Sequence, residues 1–370
     1  MRAVARQGLR TWIEIDRKAL AHNFGVFKTL VPKRTKLMAV VKSNAYGHGL
    51  VDFSREMERQ GADFLGVDSI TEALALRREG IALPILVLGY TLPEMIAPAV
   101  DAHISLTVSS FEALRAIGRE RRQPKIHLKV DTGMHRQGFL LKDLPKVVRS
   151  VRPEGLYTHF AAAKNPAFPK DTENQLAEFK KWSEAFRKAG HKPILHAAAT
   201  AGAMLFPASH LDMVRIGIGL YGLWPAKEIR EYLKDRVTLS PALAWKSVLT
   251  EIKKLPKGER VGYDLTETLL ADTALGVIPI GYWHGYPRAL SSIGRALIRG
   301  RECRVVGRVS MDMLTVDLTS ARGAKVGDEV TILGTDSRYV ASAEGIAALT
   351  DSAWYEVITR LNPLIKRIYI

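Results

Sequence analysis

The sequence has little cysteine and no long apolar run. Its only thiol, Cys303, cannot close an internal disulfide, which agrees with a reducing compartment. No stretch reaches the ~18 uninterrupted apolar residues of a membrane helix. The opening MRAVARQGLR is basic with no apolar core behind it, unlike a signal peptide. We therefore expect a cytoplasmic protein that does not enter a membrane.

Metal-binding and nucleic-acid-binding motifs are also missing. The ten histidines include no close pair at metal-ligand spacing, and no cysteine cluster exists, so we predict no metal site. The net charge of +16 would attract polyanions, but the basic residues are scattered without an arm or a long stripe. We expect no nucleic-acid partner, and a steep salt dependence of DNA binding would be the sign of that alternative.

The composition is that of an ordinary globular protein, with 47% hydrophobic and 25% charged residues in 370. Between residues 12 and 220, apolar runs alternate with segments of helical periodicity, which predicts parallel strands joined by helices. There are eight such runs: LMAVVK (37–42), FLGVD (64–68), PILVLG (84–89), HISLTV (103–108), KIHLKVD (125–131), GLYTHF (155–160), ILHAAA (194–199) and DMVRIG (212–217). The predicted fold class is therefore α/β, with a (β/α)8 barrel of the TIM type over residues 12–241.

The pattern changes near residue 242. From there AWKSVLTEI, LGVIPIGY, RALIRG, CRVVGRVSM, MLTVDLT and DEVTILG follow one another with turn residues between them, which predicts a mostly β domain over 242–370. Only ASAEGIAALT and WYEVITRL are typical of helices. The earlier TWIEID strand (11–16) is surplus to an eight-stranded barrel, so we expect it to pair with the C-terminal domain.

Barrel enzymes carry their working groups at the C-terminal ends of the strands, often with a phosphate held after strands 7 and 8. Lys42 ends the first run, where desolvation would leave a neutral, nucleophilic amine. Thr200 follows the seventh run, and Gly217 and Ile218 follow the eighth, so their hydroxyl and backbone amides are candidate phosphate ligands. The G-x-G-x-x-G in the same stretch lacks the strand and acidic residue of a dinucleotide site.

The segment AVVKSNAYGHG resembles the pyridoxal-phosphate attachment motif of the alanine racemase family nearly residue for residue. KVDTGMHRQG, YTHFAAA, VRIGIGLYG, VGYDLT, IPIGYWHGYPR and GRVSMDM resemble further motifs of that family, in its order, so the likeness covers about residues 11–360. The resemblance implies a pyridoxal-phosphate-dependent racemase that interconverts L- and D-alanine.

Residue roles follow from the resemblance. It implies that Lys42 holds the cofactor and Tyr46 contacts its phosphate, that His159 lies near its ring, and that Arg215 faces the ring nitrogen. A guanidinium only donates hydrogen bonds, so the ring nitrogen would stay unprotonated and the deprotonated substrate would be reprotonated at once. Arg136 would bind the substrate carboxylate, with Lys129 as a candidate carbamylated lysine beside it, and Tyr282 would line the entrance.

The resemblance also implies two bases, Lys42 on one face of the substrate and Tyr263 on the other. In the family, Tyr263, Met311 and Asp312 reach into the barrel of a second subunit, which implies a homodimer. Two positions depart from the family: Ala199 stands where many members have asparagine, and Pro363 lies near a phosphate-binding tyrosine of some members.

Two alternatives stay open. The same residues could serve a broad-specificity, serine or lysine racemase, because side-chain selectivity rests on a few pocket groups worth about 1–3 kcal/mol per methylene. A non-catalytic pyridoxal-phosphate-binding protein is the alternative of another class, although such barrel-only proteins lack the β domain that carries Tyr263.

We predict that borohydride reduction of the purified protein fixes the cofactor on Lys42, because the amine attacks the cofactor aldehyde and reduction makes that linkage permanent. Peptide mapping should find the label on the peptide that contains Lys42. A label on a different lysine would overturn the assignment.

Overall fold

The computed structural model describes residues 6–370, which divide into two units. The first contains Lys18–Ala45 and Leu50–Ser240, and the second contains the described residues up to Arg17, Tyr46–Gly49 and Pro241–Ile370. Strand β1 (Thr11–Ile15) belongs to the second unit. Half of the opening segment MRAVARQGLR lies outside the described residues. Within the described chain, no helix is long and apolar enough to cross a membrane.

Eight parallel strands form the sheet of the first unit, in the order β8-β7-β6-β5-β4-β3-β2-β9. They are β2 (Lys36–Val40), β3 (Phe64–Val67), β4 (Ile85–Val87), β5 (Ile104–Val108), β6 (Ile126–Lys129), β7 (Gly155–Tyr157), β8 (Ile194–His196) and β9 (Met213–Ile216). Each of the eight apolar runs supplies one strand, because strands covered on both faces need apolar side chains on both faces.

Backbone hydrogen bonds join the last strand, β9, to β8 and to the residues that follow it. The Arg215 N–H donates to the Ala198 carbonyl at 2.9 Å, the Asp212 N–H donates to the Leu195 carbonyl at 3.1 Å, and Ala199 and Arg215 form a parallel bridge. The C-terminal ends of the eight strands therefore meet at one rim, and the predicted (β/α)8 barrel is confirmed.

The helices of the first unit bury one apolar face each. Phe24 and Phe27 are buried in the first helix, and Phe179 and Trp182 in the longest, as the helical periodicity predicts. The helices are Arg17–Leu30 (its first residue in the second unit), Leu50–Gln60, Ile70–Arg78, Ile96–Asp101, Phe111–Gly118, Leu144–Ser150, Lys170–Lys188, Thr200–Leu205 and Lys227–Leu233.

Part of the barrel interior is apolar and part is polar. Met38, Phe64, Leu86 and Met213 form a buried cluster. The rings of His127 and His196, from the non-neighbouring strands β6 and β8, also meet inside, with Nδ1 of His127 2.8 Å from Nε2 of His196. A polar group buried in this way is costly unless it is hydrogen-bonded, and this contact satisfies one nitrogen of each ring.

The second unit is mostly β, as predicted. Its largest sheet runs β16-β15-β18-β10-β1-β20 with β19 on β18, beside a β11-β14-β17 sheet and a β12-β13 pair. The strands are β10 (Leu243–Val248), β11 (Glu251–Leu255), β12 (Arg260–Val261), β13 (Glu267–Thr268), β14 (Thr273–Ile278), β15 (Arg295–Ile298), β16 (Arg301–Arg304), β17 (Leu314–Asp317), β18 (Glu329–Asp336), β19 (Tyr339–Ala341) and β20 (Lys366–Tyr369). Two helices, Ala343–Leu349 and Trp354–Thr359, follow β19.

Two details of this unit bear on the sequence interpretation. Strand β1 pairs with β10 antiparallel and with β20 parallel, inside the second unit. The run AWKSVLTEI is not one strand: it divides between β10 and β11, which belong to different sheets. The division follows hydrogen bonding, because the Leu249 N–H donates to Asp328 and the Thr250 N–H to Val277, on two different partners.

The segment Tyr46–Gly49 also belongs to the second unit, although the barrel strand β2 precedes it by only five residues. A Cβ on Gly47 would lie 2.0 Å from the carbonyl oxygen of Ile358, so only glycine fits. The Gly47 carbonyl accepts from Arg367 Nε at 3.0 Å, and the His48 carbonyl accepts from the Tyr369 hydroxyl at 3.1 Å.

Candidate active site

Lys42 begins a left-handed turn directly after β2. Four consecutive residues have positive φ: Ser43 (56°), Asn44 (55°), Ala45 (50°) and Tyr46 (50°). Each costs an L-residue about 1–2 kcal/mol, and such strain concentrates at functional sites. Hydrogen bonds hold the turn: Glu72 Oε1 accepts from the Ser43 N–H at 2.7 Å, and Asn44 Oδ1 accepts from the Leu50 N–H at 2.9 Å.

The Lys42 amine lies at the barrel rim, 3.4 Å from Asp68 Oδ1, and its side chain is 38% exposed. In the single chain the amine is therefore not desolvated, in contrast to the expectation from its place after an apolar run. Its position at the end of β2, and not its burial, is what distinguishes it from a surface lysine.

Arg215, on β9, is buried, and its guanidinium is held by groups at the ends of β7 and β8. Nη1 donates to the His196 carbonyl (2.9 Å) and contacts His196 Nδ1 (3.0 Å). Nη2 donates to the carbonyls of Thr158 (2.7 Å) and Ala197 (3.0 Å) and contacts His159 Nδ1 at 3.3 Å. All four terminal N–H groups thus have acceptors, while Nε–H donates to no group in the described part of the chain. Burial lowers the pKa of Arg215 to about 10, so the group remains a cation near neutral pH.

His159 follows β7 and is held neutral. Burial, followed by the charges of Arg215 and Lys129, lowers the pKa of its imidazole to about 3. Because Arg215 can only donate, Nδ1 of His159 is the acceptor of their contact, and the ring proton lies on Nε2.

Lys129 and Arg136 line one cleft together with His159. Lys129 is buried and donates to Gln137 Oε1 at 3.1 Å. Burial first, and then the charges of Arg215 and Arg136, lower the pKa of its amine to about 8. The loop that carries Arg136 is shaped by Asp131, whose Oδ1 accepts three backbone N–H groups, from Gly133 (2.9 Å), Met134 (3.0 Å) and His135 (3.0 Å).

Thr200 and Gly217, the candidate phosphate ligands, are in contact. The Gly217 N–H donates to Thr200 Oγ1 at 3.2 Å, which leaves the hydroxyl proton of Thr200 free to turn toward another acceptor. Ile218 begins a 3-10 helix, so its N–H has no acceptor within that helix. Ala199 occupies the N-cap of the helix Thr200–Leu205 and makes no side-chain cap there.

The second unit presents most of the remaining candidates on two short 3-10 helices, Tyr263–Leu265 and Tyr282–His284, and on the loop that carries Met311. Tyr263 is 70% exposed, Met311 54% and Tyr282 44%, and Asp312 is exposed beside Met311. The Tyr282 N–H donates to the Ser310 carbonyl at 3.1 Å, so the segments that carry Tyr282 and Met311 run side by side. Tyr46 is half-buried, with its ring centre 6.4 Å from that of Tyr355, and Pro363 is exposed.

The structure thus brings Lys129, Arg136, His159 and Arg215 into one group in the first unit, with Lys42, Thr200, Gly217 and Ile218 at the same rim. The second unit contains Tyr46, Tyr263, Tyr282, Met311 and Asp312.

Sequence reasoning missed His196, which contacts Arg215 directly. Its signal was a histidine inside an otherwise apolar run, ILHAAA. Over residues 6–370, no three His, Cys, Asp or Glu side chains group as ligands for a metal ion.

Comparison with known proteins covers both units. Residues 15–225 match the family described as "Alanine racemase, N-terminal domain", and residues 242–369 match "Alanine racemase, C-terminal domain". The alanine racemase of Symbiobacterium thermophilum is 38% identical over 374 residues, which covers 98% of each chain. That of Desulforamulus reducens is also 38% identical, over 97% of this chain and 98% of its own.

Solved structures agree. An alanine racemase from Clostridium difficile 630 superposes with a TM-score of 0.92 at 33% identity, covering 98% of this chain and 96% of its own. The alanine racemase from Bacillus anthracis, solved with bound L-Ala-P, gives a TM-score of 0.92 at 33% identity, covering 98% and 95% of the two chains.

Proposed function

Because this chain belongs to the alanine racemase family of isomerases, we propose that it interconverts L- and D-alanine with bound pyridoxal phosphate and two bases, Lys42 and Tyr263. The observation that carries the proposal is the Arg215 guanidinium, with its four terminal N–H groups occupied and Nε–H left over. The pyridine nitrogen of the cofactor can accept one hydrogen bond, which this Nε–H would donate. The barrel (12–241) would hold the cofactor, and the β domain (242–370) would supply the second base.

Residues of the first unit, together with Tyr46 of the second, fit the cofactor. Lys42 would hold it, Thr200, Gly217 and Ile218 would bind its phosphate at the ends of β8 and β9, and Tyr46 would add a hydroxyl. When bound, pyridoxal phosphate withdraws electrons from the substrate and so acidifies its α-proton. Arg215 supplies only a hydrogen bond to the ring nitrogen, which limits that withdrawal and favours immediate return of the proton.

The two bases would work on opposite faces of the substrate. Lys42, once freed by the substrate amine, would hold the proton of one enantiomer, and Tyr263 that of the other. A tyrosine at its ordinary pKa near 10 is a weak base, so Tyr263 needs cations close to its hydroxyl. Arg215 and the neutral His159, whose Nε2–H can donate, offer such surroundings in the barrel.

A homodimer would bring Tyr263 of the partner subunit to this barrel. In the single chain, the exposed apolar side chains Tyr263, Tyr282, Trp283, Met311 and Met313 lie in the second unit, and aromatic and methionine side chains are typical of interfaces. Tyr282, Met311 and Asp312 would then line the entrance and the substrate pocket of that second barrel.

Arg136 would bind the substrate carboxylate through its forked donors. Lys129, beside it, would carry a carbamate. Its lowered pKa supports this, because only a neutral amine attacks CO2, and the resulting anion would pair with the cations Arg136 and Arg215 instead of repelling them.

We predict a carbamate on Lys129 whose occupancy rises as the pH passes through about 8, the pKa of that amine, because the neutral form dominates above it. A carbamate carbon signal should appear by NMR under a constant pressure of ¹³C-labelled CO2. Lys129→Arg, which keeps the charge but cannot react, should lack it. A wild-type spectrum without any signal that the variant removes would contradict the modification.

We predict that two inactive variants restore activity when mixed. Lys42→Ala and Tyr263→Ala should each be inactive as homodimers. After the two are unfolded and refolded together, heterodimers should contain one intact site, and part of the racemase activity should return. The control is each variant refolded alone, and a mixture as inactive as its components would argue against shared sites.

We predict that Tyr263→Phe loses proton removal from L-alanine while retaining some from D-alanine, because Lys42 still serves the other face. Racemisation measured by optical rotation should fall equally in both directions, since an enzyme cannot change the equilibrium constant. The asymmetry should appear in isotope exchange, with α-deuterium of D-alanine lost to water faster than that of L-alanine. Equal loss of deuterium from both enantiomers would contradict the assignment of the two bases. A wild-type protein that does not racemise alanine would contradict the proposed function.

A further inference from the structure

Three polar side chains continue from Arg215 through the interior of the barrel. His196 Nδ1 lies 3.0 Å from Arg215 Nη1, and His196 Nε2 lies 2.8 Å from His127 Nδ1. His127 Nε2 in turn lies 3.5 Å from Oε2 of Glu154, just before β7. Both histidines are completely buried. This chain of groups therefore leads from the cofactor-facing guanidinium to a carboxylate.

The direction of every hydrogen bond in the chain follows from its first member. Arg215 can only donate, so Nδ1 of His196 must accept and carries no proton. The proton of His196 then lies on Nε2 and is donated to His127 Nδ1, which in turn must be unprotonated. The proton of His127 is left on Nε2, facing Glu154.

The same geometry requires both histidines to be neutral. A proton on Nδ1 of either ring would point at another donor, in one case Arg215 and in the other His196. Burial first, and then the charge of Arg215, lower the pKa of His196. For His127, burial lowers the pKa most, while Glu154 raises it and Arg215 and Lys125 lower it.

Glu154 ends the chain as an anion. The contact with His127 is the first cause that lowers the pKa of this carboxyl to about 2, and Lys125 and Ser105 act in the same direction. Ser105 Oγ donates to Oε2 at 3.0 Å, and Lys125 Nζ lies 3.0 Å from Oε1. His127 Nε2 makes no hydrogen bond within the described residues, so its 3.5 Å approach to Glu154 Oε2 is an ion–dipole contact.

Packing leaves the two rings little room to turn. His196 is stacked on Tyr157 with 4.7 Å between ring centres and 9° between planes. Phe64 meets the edge of His127 at 6.0 Å, and a Cβ on Gly155 would lie 2.1 Å from His127 Nδ1. The rings are thus held in the orientation that the hydrogen bonds require.

We propose that His196 and His127 form a one-directional hydrogen-bond chain, with the carboxylate of Glu154 facing its end, that fixes the plane of the Arg215 guanidinium and keeps Nε–H as the donor offered to the cofactor ring. These are positioning residues that act through Arg215, and their role in catalysis rests on the function proposed above. Without an acceptor at His127, the buried Nε2–H of His196 would be unsatisfied, and the alternative tautomer would set an N–H against Arg215.

The tautomers can be observed directly, whatever the protein catalyses. Neutron diffraction from crystals grown in heavy water should show deuterons on Nε2, and none on Nδ1, of both His127 and His196. A deuteron on Nδ1 of either ring would overturn the chain, even if the protein proves to be an active racemase. If the deuterons are found on Nε2 but the protein has no racemase activity, the hydrogen-bond chain stands and only its proposed role in catalysis is contradicted.

Two variants of similar size separate positioning from packing. His127→Asn places an amide oxygen near the position of Nδ1 and can still accept from His196, whereas His127→Leu fills the space without an acceptor. Melting temperatures show whether each variant is folded.

With alanine, wild type and His127→Asn should form pyruvate slowly relative to racemisation. In His127→Leu, the ratio of pyruvate formation to racemisation should rise above that of wild type and His127→Asn. With pyridoxal phosphate bound, a ring nitrogen without a fixed donor would be open to protonation. This would favour transamination, in which alanine would give up its amino group to the cofactor and leave as pyruvate. The visible absorption of the bound cofactor should shift in His127→Leu alone.

Equal ratios of pyruvate formation to racemisation and equal spectra in the two variants would overturn the positioning role. If His127→Leu does not fold, the neutron diffraction result decides whether the hydrogen-bond chain exists.

Discussion

The guanidinium of Arg215 is the constraint on which the rest of this site depends. It is a buried cation that can only donate, so each of its N–H groups must find an acceptor or cost about 1–3 kcal/mol. The acceptors come from the ends of β7 and β8, chiefly the carbonyls of Thr158, His196 and Ala197. One side chain thereby ties together the strand ends at the place where the barrel closes.

The same cation sets the protonation of its surroundings. It forces the nitrogens of His159 and His196 that face it to be acceptors, and its charge helps to keep Lys129 closer to neutrality than a surface lysine. Burying a charge together with polar rings is less favourable than an apolar core unless every group is paired. The hydrogen bonds that run from Arg215 through His196 to His127, in contrast to the apolar cluster around Met38, support a role in function and not in stability alone.

The turn after β2 shows a second kind of cost. Four residues in succession adopt a left-handed conformation that their side chains disfavour, and within four residues of Lys42 the chain passes into the second unit. The hydrogen bonds that the side-chain oxygens of Glu72 and Asn44 accept offset part of that strain. The turn holds the backbone next to Lys42 in one conformation, which would suit the cofactor-holding role proposed for this residue.

Sequence alone determined the architecture and supplied the candidate site residues. Eight apolar runs predicted eight barrel strands because burial on both faces demands apolar side chains, and the change of pattern near residue 242 predicted the β-rich unit. Local motifs singled out Lys42, Arg215 and Tyr263 as candidates because a resemblance between segments does not depend on how far apart those segments lie in space.

Tertiary structure decided the rest. It divided AWKSVLTEI between two sheets, moved Tyr46–Gly49 into the second unit, and joined His127, His196 and Glu154 into one chain. Hydrogen-bond partners and burial depend on residues far apart in sequence, here 69 positions between the two histidines, and no local pattern records such a pairing.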